Sequence, residues 1–320
     1  EGSHRPFHGD ELPQAFQDAV PEVRQRLPHI TLPQGGRMPM SALGTHMSSS
    51  EDVLSYLLMG GRHLDSGQIY GNQAAIGQGI RWAMQLGVPR TEIFLTTKIH
   101  GGLFGSHATT QWVTDMIDEF GLDYVDLVLL HGAGPERHPG PQPYSDVTCR
   151  SPLQCRSETW STLAGFLTTG KVRDIGVSNF GIRQLTELMA LRNAPIAVNQ
   201  IEFHPLVPDQ NREVLSFCQQ HGIAVVAFSP FGSGSLLQVF EKDDALPLKR
   251  ISETYRKRAA QVVLRWMVQQ GISVVPRSAN LANMRASLDI YDFELSGAEM
   301  NAISEISFRV TVWPQPWSSL

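Results

Sequence analysis

The chain has 320 residues, with 26 Lys and Arg against 31 Asp and Glu, for a net charge of −5. With no basic cluster beyond a few residues, a nucleic-acid partner is not expected. Forty-two per cent of residues are apolar, enough for one large α/β barrel or two ordinary cores. No run of about 18 or more apolar residues suits a membrane span.

Residues 1–28 are polar and punctuated by proline, and read as an N-terminal extension. Within them "ELPQAFQDAVPEVRQRL" has the pattern of a short amphipathic helix. From residue 29 the pattern tightens, and 29–320 reads as one domain. "HITLPQGGRMPM" predicts a small β-hairpin turning at Gly35–Gly36. Strand-like runs then recur at Ser41–Thr45, Arg62–Asp65, Ile93–Lys98, Val125–His131, Asp174–Ser178, Ala197–Glu202, Ala224–Phe228 and Ser273–Pro276. Helical patterns lie between them. "SEDVLSYLLMGG" opens with an N-cap signal, and "GNQAAIGQGIRWAMQLG" closes on a glycine suited to a C-cap. A last short helix is expected near Asn280–Leu288. Eight strands alternating with eight helices predict a (β/α)8 TIM barrel. A doubly wound open sheet is the alternative, although no G-x-G-x-x-G follows an early strand. Two connections that follow strands are long, Gly132–Arg156 and Phe231–Pro247, and in a barrel such loops form the rim of the site.

Three cysteines are too few for a disulfide framework. Cys218, in "REVLSFCQQHG", reads as a small buried apolar residue. Cys149 and Cys155 bracket a short stretch of loop. Their spacing allows a local disulfide, while a reducing compartment leaves two thiols. No Asn-x-Ser/Thr sequon is present and no apolar leader is in view, so the expected location is the cytoplasm, with a removed leader as the alternative.

Chemistry gathers at the exits of three successive apolar runs. "GGRHLDSGQIYG", "IFLTTKIH" and "YVDLVLLHG" end on Asp65 and Tyr70, Lys98, and His131. Singly, each has an ordinary structural explanation: a packed aromatic, a surface charge, a satisfied histidine. Together they suit carbonyl reduction. A carbonyl accepting hydride develops negative charge on oxygen and needs a proton donor there. Tyr70 supplies the donor, and an adjacent Lys98 ammonium is expected to lower its pKa. Asp65 would hold Lys98 charged and oriented. His131, as a neutral N–H donor, would orient the carbonyl oxygen. No metal-ligand pattern is needed for this chemistry, and none is expected.

These segments resemble the aldo-keto reductase superfamily across about residues 29–310. "RHLDSGQIYGNQAAIGQGI", "FLTTK", "YVDLVLLH", "IGVSNF", "VNQIEFHP", "AFSPFGSG" and "VVPRSANLANMRASLDIYDFELS" follow in family order. The resemblance implies a (β/α)8 barrel and a catalytic tetrad of Asp65, Tyr70, Lys98 and His131. It implies NADPH as cofactor, with NADH as the alternative, bound across the barrel mouth. Gly44, Thr45 and Asp65 would lie along it. Ser178, Asn179 and Gln200 match positions that hold the nicotinamide carboxamide. Phe228 stands where the family commonly has the tyrosine on which the ring stacks. Ser229, Phe231, Gly232 and Ser233 match the pyrophosphate loop. Arg277 and Ser278, with Asn280 and Asn283, match the segment that meets the adenosine 2′-phosphate. The family usually has Lys at Arg277, and many NADPH-preferring members have Arg at Asn283. Arg285 lies two residues beyond.

The substrate pocket, assigned to His46, Tyr70, His131 and Gly132, departs most from the family. His46 and Gly132 stand where many members carry large aromatics. Tyr144 in the Gly132–Arg156 loop and Trp313 and Trp317 in the tail are candidates to refill the space. The expected partner is a small carbonyl compound, and the expected assembly a monomer or weak dimer. A weakly active or inactive NADP(H)-binding protein on the same fold is the alternative function. An aldolase using Lys98 as a Schiff-base nucleophile is disfavoured, because pairing with Asp65 would keep Lys98 protonated.

Overall fold

The structure is a computed structural model. It describes residues 11–22, 27–134, 149–242 and 247–310, apart from the side chains at 241 and 242. Tyr144, Trp313 and Trp317 lie outside the described residues.

Strand β1 (His29–Thr31) and strand β2 (Arg37–Pro39) form the predicted hairpin, with Ile30 opposite Met38. Gly35 takes φ +86° at its turn, a left-handed conformation that glycine adopts without a Cβ clash. Eight parallel strands follow: β3 (Leu43–Gly44), β4 (His63–Asp65), β5 (Phe94–Ile99), β6 (Val125–Leu130), β7 (Val172–Ser178), β8 (Val198–Glu202), β9 (Ala224–Phe228) and β10 (Ser273–Val275). Each lies within two residues of its expected bounds. Neighbours in sequence are neighbours in the sheet. Backbone bonds from Ala42 to Val274, from Val274 to Met40 and from Gly44 to Pro276 join the two ends, so the sheet closes into a (β/α)8 barrel.

The helices are α1 (Ser50–Leu58), α2 (Gln73–Gln85), α3 (Ser106–Phe120), α4 (Pro152–Phe166), α5 (Ile182–Met189), α6 (Asp209–Gln220), α7 (Leu237–Lys242), α8 (Pro247–Tyr255), α9 (Ala259–Gln269), α10 (Leu281–Leu288) and α11 (Gly297–Ser304). Helix α1 begins in a capping box, Ser49 and Asp52 each bonding the other's backbone N–H. Within the Phe231–Pro247 connection, the described residues 231–242 include α7, which the sequence did not predict. The N-terminal segment is less helical than expected. Among its described residues, 11–22, a 3-10 turn at Gln14–Phe16 is the one helical stretch, and Pro13 and Pro21 leave few uninterrupted N–H donors between them. Leu12, Phe16 and Ala19 of that segment pack against the barrel's outer core. None of the described helices is long and apolar enough to cross a membrane.

Two apolar cores result. The larger lies between strands and helices, with Trp112, Phe120, Trp160 and Trp266 among its buried side chains. The smaller fills the barrel itself: Ala42, Phe94, Leu127, Leu129, Val198, Val226 and Val275, with Leu32 and Met38 from the hairpin side. A strand's side chains alternate between faces. Phe94, Thr96 and Lys98 therefore share the inner face of β5, and Leu127 and Leu129 lead to His131 on β6. Gly176 of β7 is closely enclosed, since a Cβ there would lie 2.6 Å from the Val198 carbonyl oxygen and 2.9 Å from Leu129. Period-two alternation thus carries polar residues at strand ends into the barrel mouth.

Candidate active site

Asp65 ends β4, Lys98 is the last inner-face residue of β5, and His131 follows β6. Tyr70 closes a short 3-10 turn, Gln68–Tyr70, after β4. Asp65 and Lys98 are both buried. Their carboxylate and ammonium form a direct ion pair. The ammonium also donates to the Ser66 carbonyl at 2.7 Å and to the Tyr70 hydroxyl at 3.5 Å. The other Asp65 oxygen accepts from the Gln200 amide at 2.6 Å. The Tyr70 ring stands edge-on to His131, centroids 5.9 Å apart, and to His46, 5.1 Å apart. Gly67 lies where these rings converge: a Cβ there would come within 3.2 Å of Tyr70 and 3.5 Å of His131. The four tetrad candidates and His46 therefore occupy one place.

Burial opposes the charge on Lys98, but Asp65 and then Tyr70 outweigh it and hold the ammonium above its ordinary pKa. Lys98 is a fixed cation at neutral pH. For Tyr70 the outcome differs from the sequence expectation. Burial pushes the phenol above its usual value, and Lys98 pulls it back without reversing the direction. The expectation counted the ammonium and omitted the desolvation that comes with it. His131 is pushed down to about 3, by burial first and then by the charges of Lys98 and His100. It is neutral across the working range, and its Nδ1 has no hydrogen-bond partner among the described residues.

A second set of bonds ties the mouth together. Ser178 donates to the Gln200 carbonyl at 3.0 Å. The Asn179 amide donates to the His131 carbonyl at 3.0 Å and to Ser178 Oγ at 3.1 Å. Asn179 sits at φ 59°, a left-handed position that asparagine tolerates. Gln200 thus reaches Asp65 with its amide, a bond the sequence did not disclose. Thr45 Oγ1 donates to the Asp65 carbonyl at 3.0 Å, and Gly44 N–H bonds Pro276. Phe228 ends β9, half-buried, and the chain then curls through Ser229–Gly234. Ser229, Gly232, Ser233 and Gly234 all take positive φ, and the Gly232, Gly234 and Ser235 N–H groups bond the Ser229, Phe231 and Gly232 carbonyls within the curl.

The Arg277–Asn283 segment is also organised. Asn280 N–H donates to Ser278 Oγ at 3.0 Å, and Asn280 caps α10 through the Asn283 N–H at 3.1 Å. Asn283 Oδ1 accepts from Arg258 at 2.9 Å. Arg285 is turned away into an ion pair with Glu22 at 2.7 Å. Arg277 carries no carboxylate partner among the described residues and is exposed. An exposed guanidinium with no carboxylate partner and a loop rich in positive φ therefore stand on the segments that the sequence matched to the cofactor's phosphates.

One feature near the tetrad went unread in the sequence. His100, two residues beyond Lys98, is buried, accepts from Gly102 N–H at 3.1 Å, and helps keep His131 neutral. Strand alternation from Lys98 was the signal for it. Cys149 and Cys155 are joined as a disulfide, their Cα atoms 5.0 Å apart, which is one of the two states their spacing left open. The next residue, Arg156, is buried, pairs with Glu187, and donates to the Ala133 carbonyl at 3.0 Å. The first turn of α4 therefore holds the chain at both ends of the excursion that follows His131. Gly132 is buried beside His131. Among the described residues, no cluster of three or more His, Cys, Asp or Glu could hold a metal ion.

A closed parallel barrel whose mouth gathers an acid–base network of this kind suits an oxidoreductase class. Comparison with known proteins agrees. The model of the Aldo/keto reductase family matches residues 42–307, and the chain belongs to that family. It is 35% identical over 283 residues to a 9,11-endoperoxide prostaglandin H2 reductase of Trypanosoma cruzi, covering 87% of this chain and 91% of the relative. It is 33% identical over 292 residues to a glyoxal reductase of Bacillus subtilis, covering 90% and 95%. Among solved structures, the Bombyx mori aldo-keto reductase in complex with NADP superposes with a TM-score of 0.79 at 29% identity, covering 91% of this chain and 96% of that one.

Proposed function

We propose that this protein reduces an aldehyde or ketone to the alcohol, with NADPH as the hydride source and Tyr70 as the general acid. The observation that carries the reading is the buried Asp65–Lys98–Tyr70 network with a neutral His131 at its open side. The NADP complex of the Bombyx mori relative and the exposed Arg277 guanidinium, which has no carboxylate partner among the described residues, support the choice of cofactor. Ser178 and Asn179 would meet the nicotinamide amide, Phe228 its ring face, the Ser229–Gly234 curl the pyrophosphate, and Arg277 the 2′-phosphate.

When bound, the cofactor supplies hydride to the carbonyl carbon. The chain's own residues manage the oxygen. Neutral His131 donates a hydrogen bond that orients it. Tyr70, its pKa raised, keeps its proton until charge develops on the substrate oxygen, then releases it there. The Lys98 ammonium at 3.5 Å stabilises the phenolate that remains. Asp65, held by Lys98 and Gln200, keeps that ammonium aimed. Solvent at the mouth then returns a proton to Tyr70.

The test is oxidation of NADPH with a panel of aldehydes and ketones, including glyoxal because a relative bears that name. Turnover by the wild type and its loss in Tyr70→Phe are expected. Equal rates in the two proteins across the panel overturn the reading. Tight NADPH binding with no turnover would make the chain a cofactor-binding protein instead.

A further inference from the structure

His46 is carried on a tight turn between β3 and α1. Ser48 N–H bonds the Thr45 carbonyl at 2.9 Å, and the Asn72 amide holds the Thr45 and Ser48 carbonyls at 2.8 and 3.1 Å. The base of the turn is therefore fixed. Its tip is not fixed in the same way. Met47 has φ 62°, a left-handed conformation that is strained for a residue with a side chain, and the residue is 71% exposed. One bond from a distant element reaches this tip: Arg277 Nε donates to the His46 carbonyl at 2.8 Å, across 231 residues of sequence. On the other side, the His46 ring meets Tyr70.

We propose that Arg277 is a positioning residue that couples the cofactor's 2′-phosphate to the substrate pocket through the His46 carbonyl. The inference rests on the cofactor reading above. The guanidinium has two separable sides. Nε is committed to His46, which leaves the two terminal nitrogens as a fork for phosphate oxygens. A phosphate on that fork fixes the guanidinium, and the fixed guanidinium fixes the strained tip that presents His46 to Tyr70. NADPH would then differ from NADH in the pocket it leaves behind as well as in affinity. By linkage the effect is mutual, so a ligand that orders His46 tightens the phosphate site by the same factor. Lysine cannot do this. It places a methylene where arginine has Nε, so it keeps a charge for the phosphate and loses the bond to His46.

The experiment follows the ring signals of isotope-labelled histidines in the cofactor-free protein, with His46 assigned from its loss in His46→Gln. The probes are adenosine 2′,5′-bisphosphate and AMP. In the wild type the bisphosphate is expected to shift His46 and AMP to leave it in place. Arg277→Lys is expected to bind the bisphosphate with no shift of His46. With saturating NADPH the same variant should lose about five-fold or more in kcat/KM for the carbonyl. A stationary His46 in the wild type overturns the proposal, as does an equal shift in Arg277→Lys or with AMP. Absence of bisphosphate binding overturns it too. NADPH-dependent turnover by the wild type, measured on the same preparation, stands or falls separately.

Discussion

The barrel buries polar groups at both ends, and only one end reads as a reaction site. At the floor, His63 spends one ring nitrogen on the Pro39 carbonyl and the other on Thr96 Oγ1, each at 3.0 Å. Asp174 accepts the Gln34 N–H at 3.2 Å and lies against Gly36, where a Cβ would come within 2.6 Å of its carboxylate. The hairpin thus turns these groups into closures of the barrel. At the mouth, Asp65, Lys98 and Gln200 also bond one another, yet the Tyr70 hydroxyl and the His131 ring are left converging on a common point. Burial and a shifted pKa occur at both ends and do not identify function alone. What separates them is where the last donor in each network points.

The sharpest break of that comparison is removal of the mouth's donor. Tyr70→Phe is expected to lower the rate of carbonyl reduction by about 100-fold or more, with thermal unfolding unchanged. A retained rate would make the mouth another closure like the floor. Lys98→Met comes next and tests whether the mouth's ion pair is structural as well. It leaves Asp65 buried with only Gln200, and breaking a buried pair from one side costs about 3–5 kcal/mol. Urea unfolding should show that loss alongside the loss of turnover. Turnover lost with full stability would mean that water replaces the ammonium.

The comparison also shows what the sequence disclosed. The strands were legible because each is a short apolar run ended by a turn signal, and alternation fixed which residues faced inward. Asp65, Lys98 and His131 were legible for the same reason, being polar at the end of such runs. The raised pKa of Tyr70 was not, because desolvation depends on everything packed around the ring. The Gln200–Asp65 and Arg277–His46 bonds join residues 135 and 231 positions apart, and no local pattern encodes them. The closure of the floor was half legible: the hairpin could be read, but not that Gly36 meets Asp174.

Acid should sharpen the contrast. Burial, foremost among its causes, holds His63 down to about 4 against an ordinary value near 6.5. Its folded pKa is depressed, so its stabilising contribution is complete above about pH 6.5 and is lost as pH falls toward 4. The loss amounts to about 3 kcal/mol for that shift. His131 adds a loss of the same sign, and a His131→Asn background separates the two. Asp174 runs the other way. Burial raises it to about 6, so the folded state gains as its carboxyl protonates between about pH 6 and 4. Urea unfolding of His131→Asn from pH 7 to 4 should therefore show a loss smaller than His63 alone would give. An His63 ring signal that titrates near 6.5 would mean that the floor is open to water.

The smallest expected effect belongs to the rim. The Cys149–Cys155 bridge closes a loop with a sequence separation of 6, and a loop that short contributes at most about 2 kcal/mol through the unfolded chain. Its position matters more than its energy. It joins the end of the excursion after His131 to the helix whose next residue, Arg156, holds the beginning of that excursion at Ala133. Cys149→Ser with Cys155→Ser should thus lower stability slightly and leave Tyr70 chemistry intact, since Arg156 and Asn179 still hold the backbone beside His131. A raised KM for carbonyls at unchanged kcat would show that the rim shapes substrate binding alone. A fall in kcat would show that the rim reaches the tetrad, and that the mouth, unlike the floor, depends on parts of the chain well outside its own hydrogen bonds.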